Sequence, residues 1–240
     1  MRKASFSVGV LLLGCLLCVM LTGCDLLQEL LNQMKPYQED FGNVVLGTNT
    51  GPTYWYVYPE STGSAAVITD PTGSGRGKVL ELKDAIMGTH DKGIVVYSPV
   101  IDGLKTANLL GKKLELDFYR VDDVSARWFL LAKTQNGAFV MIDPYHSVDA
   151  YAALNHQYVG ISPNTWYRLK ITFGTGSYTV EVREAASSTL VGTISQAMNS
   201  ENYAHLADQD GRICFGSWFS GAPDTSYGHV YIDNIKVGTL

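Results

Sequence analysis

Two acidic side chains in the middle of the chain, Glu115 and Asp117, have a spacing that acid–base chemistry could use. Because side chains alternate along a strand, both carboxylates would lie on one face. Retaining hydrolysis of a glycosidic bond needs two carboxyl groups about 5 to 5.5 Å apart, one as nucleophile and one as acid. The alternative is that these acids cover the polar face of a half-buried strand, and the alternation of the segment favours that interpretation.

A second chemistry, elimination from a uronate, needs a Tyr or His base beside a cation or amide that neutralises the carboxylate. The chain offers side chains of these types but no ordered cluster of them: Arg127, Tyr145, His146, His156 and His229. The five histidines are scattered, and none forms an H-x-H or H-E-x-x-H set for a metal. The sequence therefore favours a lyase less than a hydrolase.

Sugar binding needs less than catalysis, namely aromatic platforms for the apolar face of a sugar and a few polar groups. The segment 54–58, Tyr-Trp-Tyr-Val-Tyr, predicts three tyrosines on one side of a strand and Trp55 on the other. Many aromatic residues must belong to the core, since a sandwich buries one face of each strand. The residues predicted to line a binding groove are Trp128, Tyr145, His146 and Trp218.

The first 23 residues read as an export signal and do not belong to the folded part. Arg2 and Lys3 precede an apolar run over 8–21 that is too short to span a membrane comfortably. The run ends in Leu-Thr-Gly-Cys24, which resembles the bacterial lipobox, so Cys24 is the predicted lipid attachment site. An ordinary cleavage site that happens to precede a cysteine is the alternative. Asp25 resembles a retention signal that keeps some lipoproteins on the inner membrane.

Removal of this leader leaves 16 basic and 23 acidic side chains, a net charge of −7. A mildly acidic chain without basic clusters lacks the counterion-release contribution that dominates nucleic-acid binding. Cys15 and Cys18 leave with the leader and Cys24 is acylated, so Cys214 stands alone and no internal disulfide is expected. The sequence therefore indicates an exported protein of the bacterial cell envelope without a nucleic-acid partner. We expect a monomer, although neither charge nor cysteine content bears on the oligomeric state.

The remaining pattern predicts a lipidated tether over 24–37, followed by one all-β domain over 38–240. Leucines and Met34 at helical spacing predict a short amphipathic helix over 25–34, which Pro36 ends; an unstructured linker is the alternative. Beyond it, runs rich in Val, Ile, Tyr and Thr alternate with turn residues. The predicted strands are 53–58, 65–69, 78–83, 93–98, 113–121, 127–134, 138–142, 156–159, 166–174, 178–184, 189–195, 212–219 and 229–237. Without a blade repeat, they favour a two-sheet sandwich.

Three segments carry a family resemblance: Asp-Pro-Thr-Gly-Ser-Gly-Arg-Gly-Lys-Val-Leu-Glu-Leu (70–82), Asn-Thr-Trp-Tyr-Arg-Leu-Lys-Ile (164–171) and His-Val-Tyr-Ile-Asp-Asn-Ile-Lys-Val (229–237). They resemble the concanavalin A-like, or laminin G-like, jelly rolls of bacterial carbohydrate-active and envelope proteins. The resemblance spans most of residues 38–240. It implies a two-sheet antiparallel jelly-roll sandwich and supports the fold more than an activity.

The resemblance also bears on the acidic pair and on calcium. Residues 115–120 resemble the E-x-D-x-x-E strand of jelly-roll glucanases, but Arg120 stands where that motif has its second carboxylate, so the match fails where the mechanism needs it. Related sugar-binding jelly rolls share a calcium ion between their first and closing strands. This implies Glu39 or Asp40 together with Asp233, with most of the oxygen ligands coming from the backbone. The alternative is that Asp233 bonds the backbone of its own strand bulge.

These observations predict a membrane-anchored lipoprotein whose jelly roll binds a poly- or oligosaccharide without catalysis, with no cofactor beyond a structural Ca²⁺. An enzyme of the same fold, a polysaccharide lyase or glycoside hydrolase, is the first alternative. A structural envelope protein that contacts other proteins is the second.

The lipid anchor can be tested in cells. Because the acyl chain is carried by the sulfur of Cys24, we expect Cys24→Ser to abolish labelling by an alkynyl palmitate and to release the protein from the membrane fraction. Cys18→Ser is the matched control, since Cys18 leaves with the leader. A Cys24→Ser protein that still takes up the label would contradict the assignment.

Overall fold

The computed structural model describes residues 36–58, 63–84, 94–105, 109–121, 127–132, 138–143, 147–150, 157–197, 211–218 and 228–239. All of them belong to the unit Pro36–Leu240. The leader, Cys24 and the helix predicted over 25–34 lie outside the described residues. Within these ranges, no helix has the length and apolar character needed to cross a membrane.

The described chain is almost entirely β-structure, with one short 3₁₀ turn at Asp102–Leu104. The strands, in chain order, are β1 (Tyr37–Glu39), β2 (Tyr56–Val57), β3 (Ser64–Thr69), β4 (Lys78–Asp84), β5 (Val95–Tyr97), β6 (Lys112–Arg120), β7 (Arg127–Ala132), β8 (Ala138–Asp143), β9 (Ser147–Ala150), β10 (Gln157–Gly160), β11 (Trp166–Phe173), β12 (Ser177–Glu184), β13 (Leu190–Ala197), β14 (Cys214–Trp218) and β15 (Gly228–Thr239).

The strands form two antiparallel sheets. Sheet A has the order β13-β12-β11-β6-β15-β4-β3, and β1 pairs with the far end of β15. Sheet B has the order β10-β9-β8-β7-β14-β5-β2. Strands that neighbour each other in space are often far apart in the chain, as with β6 and β15, so long-range pairing rather than a sequence of hairpins defines the fold.

Period-two alternation sets which face of each sheet is buried. On β11, Tyr167, Leu169, Ile171 and Phe173 face the core, while Arg168, Lys170 and Thr172 face outward. The hairpin that follows is closed by a hydrogen bond from the Gly174 amide to the Ser177 carbonyl, and Gly176 has a φ of 71°. Both the alternation and the hairpin confirm what the sequence predicts for this region.

The core lies between the inner faces of the two sheets. Sheet A contributes most of the aliphatic side chains, and sheet B contributes buried residues such as Val96, Val148 and Phe215. Trp55 packs on Phe41 and stacks against Phe215, with ring centroids 5.2 and 6.2 Å apart. Trp55 is therefore a core residue. The alternation of segment 54–58 predicts that it lies opposite the three tyrosines, but not which side is buried.

Each of the thirteen predicted strands overlaps an observed strand, and the two strands that were not predicted are short. β1 has three residues and β9 has four, and both contain polar or charged side chains that carry no clear alternation. β1 exists because the main chain at Tyr37–Glu39 pairs with Val237–Ile235. Pairing with a distant strand, rather than local propensity, makes these segments extended.

One side of the sandwich is closed by contact between the edge strands of the two sheets. β10 of sheet B lies beside β13 of sheet A, and the Ser195 amide donates to the side-chain carbonyl of Gln157. A Cβ at Gly192 would lie 2.7 and 2.9 Å from the two methyl carbons of Val159. The two edges therefore approach closely because residue 192 has no side chain.

This close approach makes Gly192 sensitive to substitution. Val159 is β-branched and cannot move both methyl groups away, so we expect Gly192→Ala to lower the free energy of unfolding by about 1 to 3 kcal/mol. Gly160→Ala is the matched control on the facing strand, because its Cβ would meet nothing within 4 Å. Urea denaturation measures both. Equal stability of the two variants would show that the edges do not pack as described.

Candidate functional site

The acidic residues that could suggest catalysis lie on the outer face of sheet A, away from the core. On β6 the side chains of Leu116 and Phe118 are in the core, so Glu115 and Asp117 point outward. Asp117 is nevertheless fully buried. Its Oδ1 accepts from Arg168 Nε at 2.7 Å, and its Oδ2 accepts from Arg76, Arg168 and the Asn234 amide.

Arg76 reaches Asp117 from the loop between β3 and β4, which Asp70 organises. The Asp70 carboxylate accepts hydrogen bonds from the amides of Thr72, Ser74 and Arg76 and from the hydroxyls of Thr72 and Ser74. Desolvation raises the pKa of Asp70, but these hydrogen bonds outweigh it and lower the pKa to about 2. Asp70 is therefore a charged structural centre of the loop at neutral pH.

The same loop covers an aromatic patch on the outer face of sheet A. The Arg76 guanidinium lies 4.0 Å from the ring centre of Trp166, and the indole N–H of Trp166 donates to the Thr72 hydroxyl. Trp166 also packs on Tyr119, which packs on Tyr231. The loop adopts this path because three glycines hold positive φ angles: Gly73, Gly75 and Gly77.

These hydrogen bonds and the covering loop leave Asp117 unsuited to act on a substrate. Desolvation raises its pKa, but the hydrogen bonds and charges of Arg168 and Arg76 outweigh it, so the pKa is lowered. A buried carboxylate whose two oxygens accept four hydrogen bonds offers no oxygen to a sugar. Arg120 lies on the opposite, core-facing side of β6 and is 1% exposed. Asp117 thus belongs to a structural ion cluster, and Glu115, in the same outward row of β6, stands opposite Lys170 and Lys236 in the ladder.

The residues predicted to bind calcium lie in neighbouring segments. β1 pairs with β15 up to Glu39 and Ile235, which brings Asp40 close in the sheet to the bulge after Asp233. Asp40 is exposed and accepts the Gly42 amide, while Asp233 is buried and bonds Arg76 at 3.1 Å. Burial raises the pKa of Asp233, an effect that hydrogen bonds from the Asn234 backbone and from Arg76 only partly offset.

These contacts do not by themselves compose a metal centre. Within the described ranges, no group of three or more His, Cys, Asp or Glu side chains is arranged to hold a metal ion. Arg76 already brings a positive charge to Asp233, which reduces the need for a cation there. The Oδ1 atom of Asp233 is buried without a hydrogen-bond partner. Calcium binding at Asp40 and Asp233 stays a prediction.

Sheet B offers a different surface, a cluster of tyrosines on its outer face. Val57 pairs with Val96, whose side chain is in the core, so the next pair along, Tyr56 and Tyr97, points outward. The Tyr56 and Tyr97 rings stack with centroids 5.0 Å apart, and Tyr58 meets Tyr97 edge-on at 6.3 Å. Tyr58 is 41% exposed. We call Tyr56, Tyr58 and Tyr97 the tyrosine platform.

Arg212 lies against this platform. Its guanidinium is 5.3 Å from the ring centre of Tyr56. It donates hydrogen bonds to the backbone carbonyls of Ser98, Thr50 and Gly51, which hold it in place. Burial raises the pKa of Tyr56, although the nearby charge of Arg212 acts in the opposite direction. The alternation of segment 54–58 predicted the tyrosine face, but nothing in the sequence joined it to Tyr97 or Arg212.

The four predicted groove residues lie largely outside what the structure describes. Tyr145 and His146 fall outside the described ranges, and Trp128 and Trp218 are described by backbone pairing only. Trp128 pairs with Ser217, the residue before Trp218. The two tryptophan positions therefore belong to rows of opposite parity in the sheet B ladder. Trp128 shares its row with Ile142 and Val148, and the Val148 side chain is in the core.

Comparison with known proteins shows the fold. Neither protein-family models nor curated protein sequences give a match. A protein of unknown function from Shewanella oneidensis MR-1 has a TM-score of 0.54 at 10% identity, over 85% of this chain and 87% of that one. Peanut lectin, in a structure with a nine-residue peptide, has a TM-score of 0.50 at 11% identity, over 86% of this chain and 99% of the lectin. This chain is a concanavalin A-like, two-sheet antiparallel jelly-roll sandwich.

The ion cluster predicts a large stability effect at Asp117. Asp117→Asn removes the negative charge that Arg76 and Arg168 neutralise, so we expect the free energy of unfolding to fall by about 3 kcal/mol. Asp102→Asn is the matched control, since Asp102 is exposed and pairs with Lys105 at the protein surface; about 0.5 kcal/mol is expected there. Urea denaturation at pH 7 compares them, and a loss below 1 kcal/mol for Asp117→Asn would contradict a structural role.

Proposed function

We propose that this protein is a lipoprotein of the bacterial cell envelope, anchored through Cys24, whose jelly-roll domain binds carbohydrate without catalysing its cleavage. The observation that carries the proposal is the tyrosine platform on the outer face of sheet B. Sugars present an apolar face of C–H groups, and an exposed aromatic ring is the protein surface that matches it. The platform combines such rings with hydroxyl groups that can bond the sugar hydroxyls.

The state of the acidic residues supports binding rather than hydrolysis. Asp117 is enclosed by arginines, and Glu115 stands opposite Lys170 and Lys236 in the ladder. Both carboxylates face away from the core on sheet A, whereas the aromatic platform is on sheet B. Binding and hydrolysis of one sugar would require the aromatic surface and the two carboxylates to share a face, and these residues do not.

The extent of the binding surface is set by the strand order of sheet B. β2 and β5 carry the platform at one edge, and β14, with Trp218, is the next strand. Trp218 is four residues after Cys214, the backbone partner of Tyr97, so strand alternation predicts that Trp218 lies on the platform side of the sheet. We therefore include Trp218 in the proposed site, with Tyr145 and His146 as further candidates. Trp128 is the weakest of the four candidates for sugar binding, because its position is in register with Val148, whose side chain is in the core.

Site-directed variants test the platform. The measurement is a glycan array of the mature chain from residue 24, carrying Cys24→Ser, followed by calorimetric titration of the best-bound sugar. Loss of one stacking ring is worth about 1.4 kcal/mol or more, so we expect Tyr58→Ala to weaken binding about tenfold, and Tyr58→Phe to retain most of it. Trp218→Ala should weaken it similarly.

Tyr158→Ala is the matched control. Tyr158 is 73% exposed but lies on β10, at the opposite edge of sheet B. With neighbouring strands about 4.8 Å apart, six strand spacings put it roughly 29 Å from β2. Repeating the array with calcium and with a chelator tests the metal prediction in the same experiment. If the folded protein binds no sugar, or if Tyr58→Ala and Trp218→Ala bind as well as the unchanged chain, the proposal is wrong.

A further inference from the structure

Arg212 differs from three other arginines of the described chain in how its charge is neutralised. Arg76 and Arg168 pair with Asp117, and Arg183 pairs with Glu181. Arg212, by contrast, bonds three backbone carbonyls, and no carboxylate among the described residues lies within ion-pair distance of it. Carbonyl oxygens orient a guanidinium but carry no net negative charge, so a full positive charge stays beside the tyrosine platform.

Arg212 also keeps hydrogen-bonding capacity. A guanidinium has five N–H groups, and the three bonds to Ser98, Thr50 and Gly51 use at most three of them. The residue is only half-buried, so a bound molecule can reach it. Its position is fixed by these bonds and by the contact with Tyr56, which means that little side-chain entropy is lost when a ligand pairs with it.

We propose that the sugar bound at the platform is anionic, and that Arg212 pairs with its charged group while the ring stacks on the tyrosines. The inference rests on the carbohydrate-binding function proposed above and specifies its ligand class. The chemistry requires a planar or tetrahedral oxyanion on the sugar, which a uronate or a sulfate ester supplies. An overall net charge of −7 after the leader would disfavour acidic polymers at long range, so their capture depends on a local cation such as Arg212.

The test compares chemically matched polymers by calorimetric titration of the mature Cys24→Ser chain. The carboxylate arm uses polygalacturonate, polymannuronate and polyglucuronate, each beside its fully methyl-esterified form, which keeps the same backbone and removes the charge. The sulfate arm uses dextran sulfate beside dextran. We expect at least one charged polymer to bind about tenfold more tightly than its neutral partner, and the arm in which this occurs identifies the oxyanion.

Variants assign the preference to Arg212. In Arg212→Gln we expect the charged-to-neutral affinity ratio to fall to within about twofold of unity, while Arg212→Lys keeps part of it. Arg183→Gln, at an ion-paired arginine of sheet A, should leave the ratio unchanged. Since Arg212 also holds the 50–51 backbone, each variant is first shown to melt cooperatively. If Arg212→Gln does not fold, the preference of the unchanged chain decides by itself.

Each outcome separates the two proposals. Equal binding of charged and neutral polymers, or an unchanged ratio in folded Arg212→Gln, overturns the assignment to anionic sugars and leaves carbohydrate binding intact. If the glycan array and both polymer arms show no binding at all, carbohydrate binding itself is overturned, and this inference with it.

Discussion

The buried carboxylate of Asp117 is the constraint on which the arrangement of this protein depends. A charge taken out of water costs several kcal/mol unless it is paired and hydrogen-bonded, and Asp117 is fully buried. Its partners come from three different places, Arg168 on β11, Asn234 on β15 and Arg76 on the β3–β4 loop. The contacts that neutralise this one side chain therefore hold three strands and a loop together. The side chains around Asp117 on the outer face of sheet A are used for these stabilising contacts.

That division explains why the two outer faces differ in what they can do. On the sheet A side, Arg76, Arg168 and Arg183 meet carboxylates. Trp166 lies under the β3–β4 loop and is only 7% exposed. On sheet B the tyrosines stay accessible and Arg212 meets only backbone carbonyls. The same residue types thus give a stabilising cluster on one face and a ligand-competent surface on the other. The difference lies in which groups already have oppositely charged partners.

The sequence was sufficient to predict properties that repeat along one strand. It was insufficient to predict contacts between residues on distant strands. Alternation predicted the buried face of β11 and the separation of Trp55 from the tyrosines of segment 54–58, because each depends on local geometry. It could not predict that Arg76, 41 residues from Asp117, would neutralise it, nor that three polar residues at Tyr37–Glu39 would pair with β15. Candidate groove residues on separate strands needed the register, since a shift of one residue exchanges the two faces.

The tyrosine platform is well suited to binding because the inward-facing residues of its strand pack into the core. Between Tyr54 and Tyr56 the chain inserts Trp55 into the core, where it packs on Phe41 and Phe215, and Val57 then pairs with the buried Val96. These inward residues fix the backbone, so the outward rings of Tyr56 and Tyr58 are presented in a set orientation. A ligand that stacks on them loses little of its binding free energy to ordering the protein. β2 has only two residues, so these core contacts add to the backbone hydrogen bonds that Val57 donates to Gly47 and Tyr58 donates to Val95.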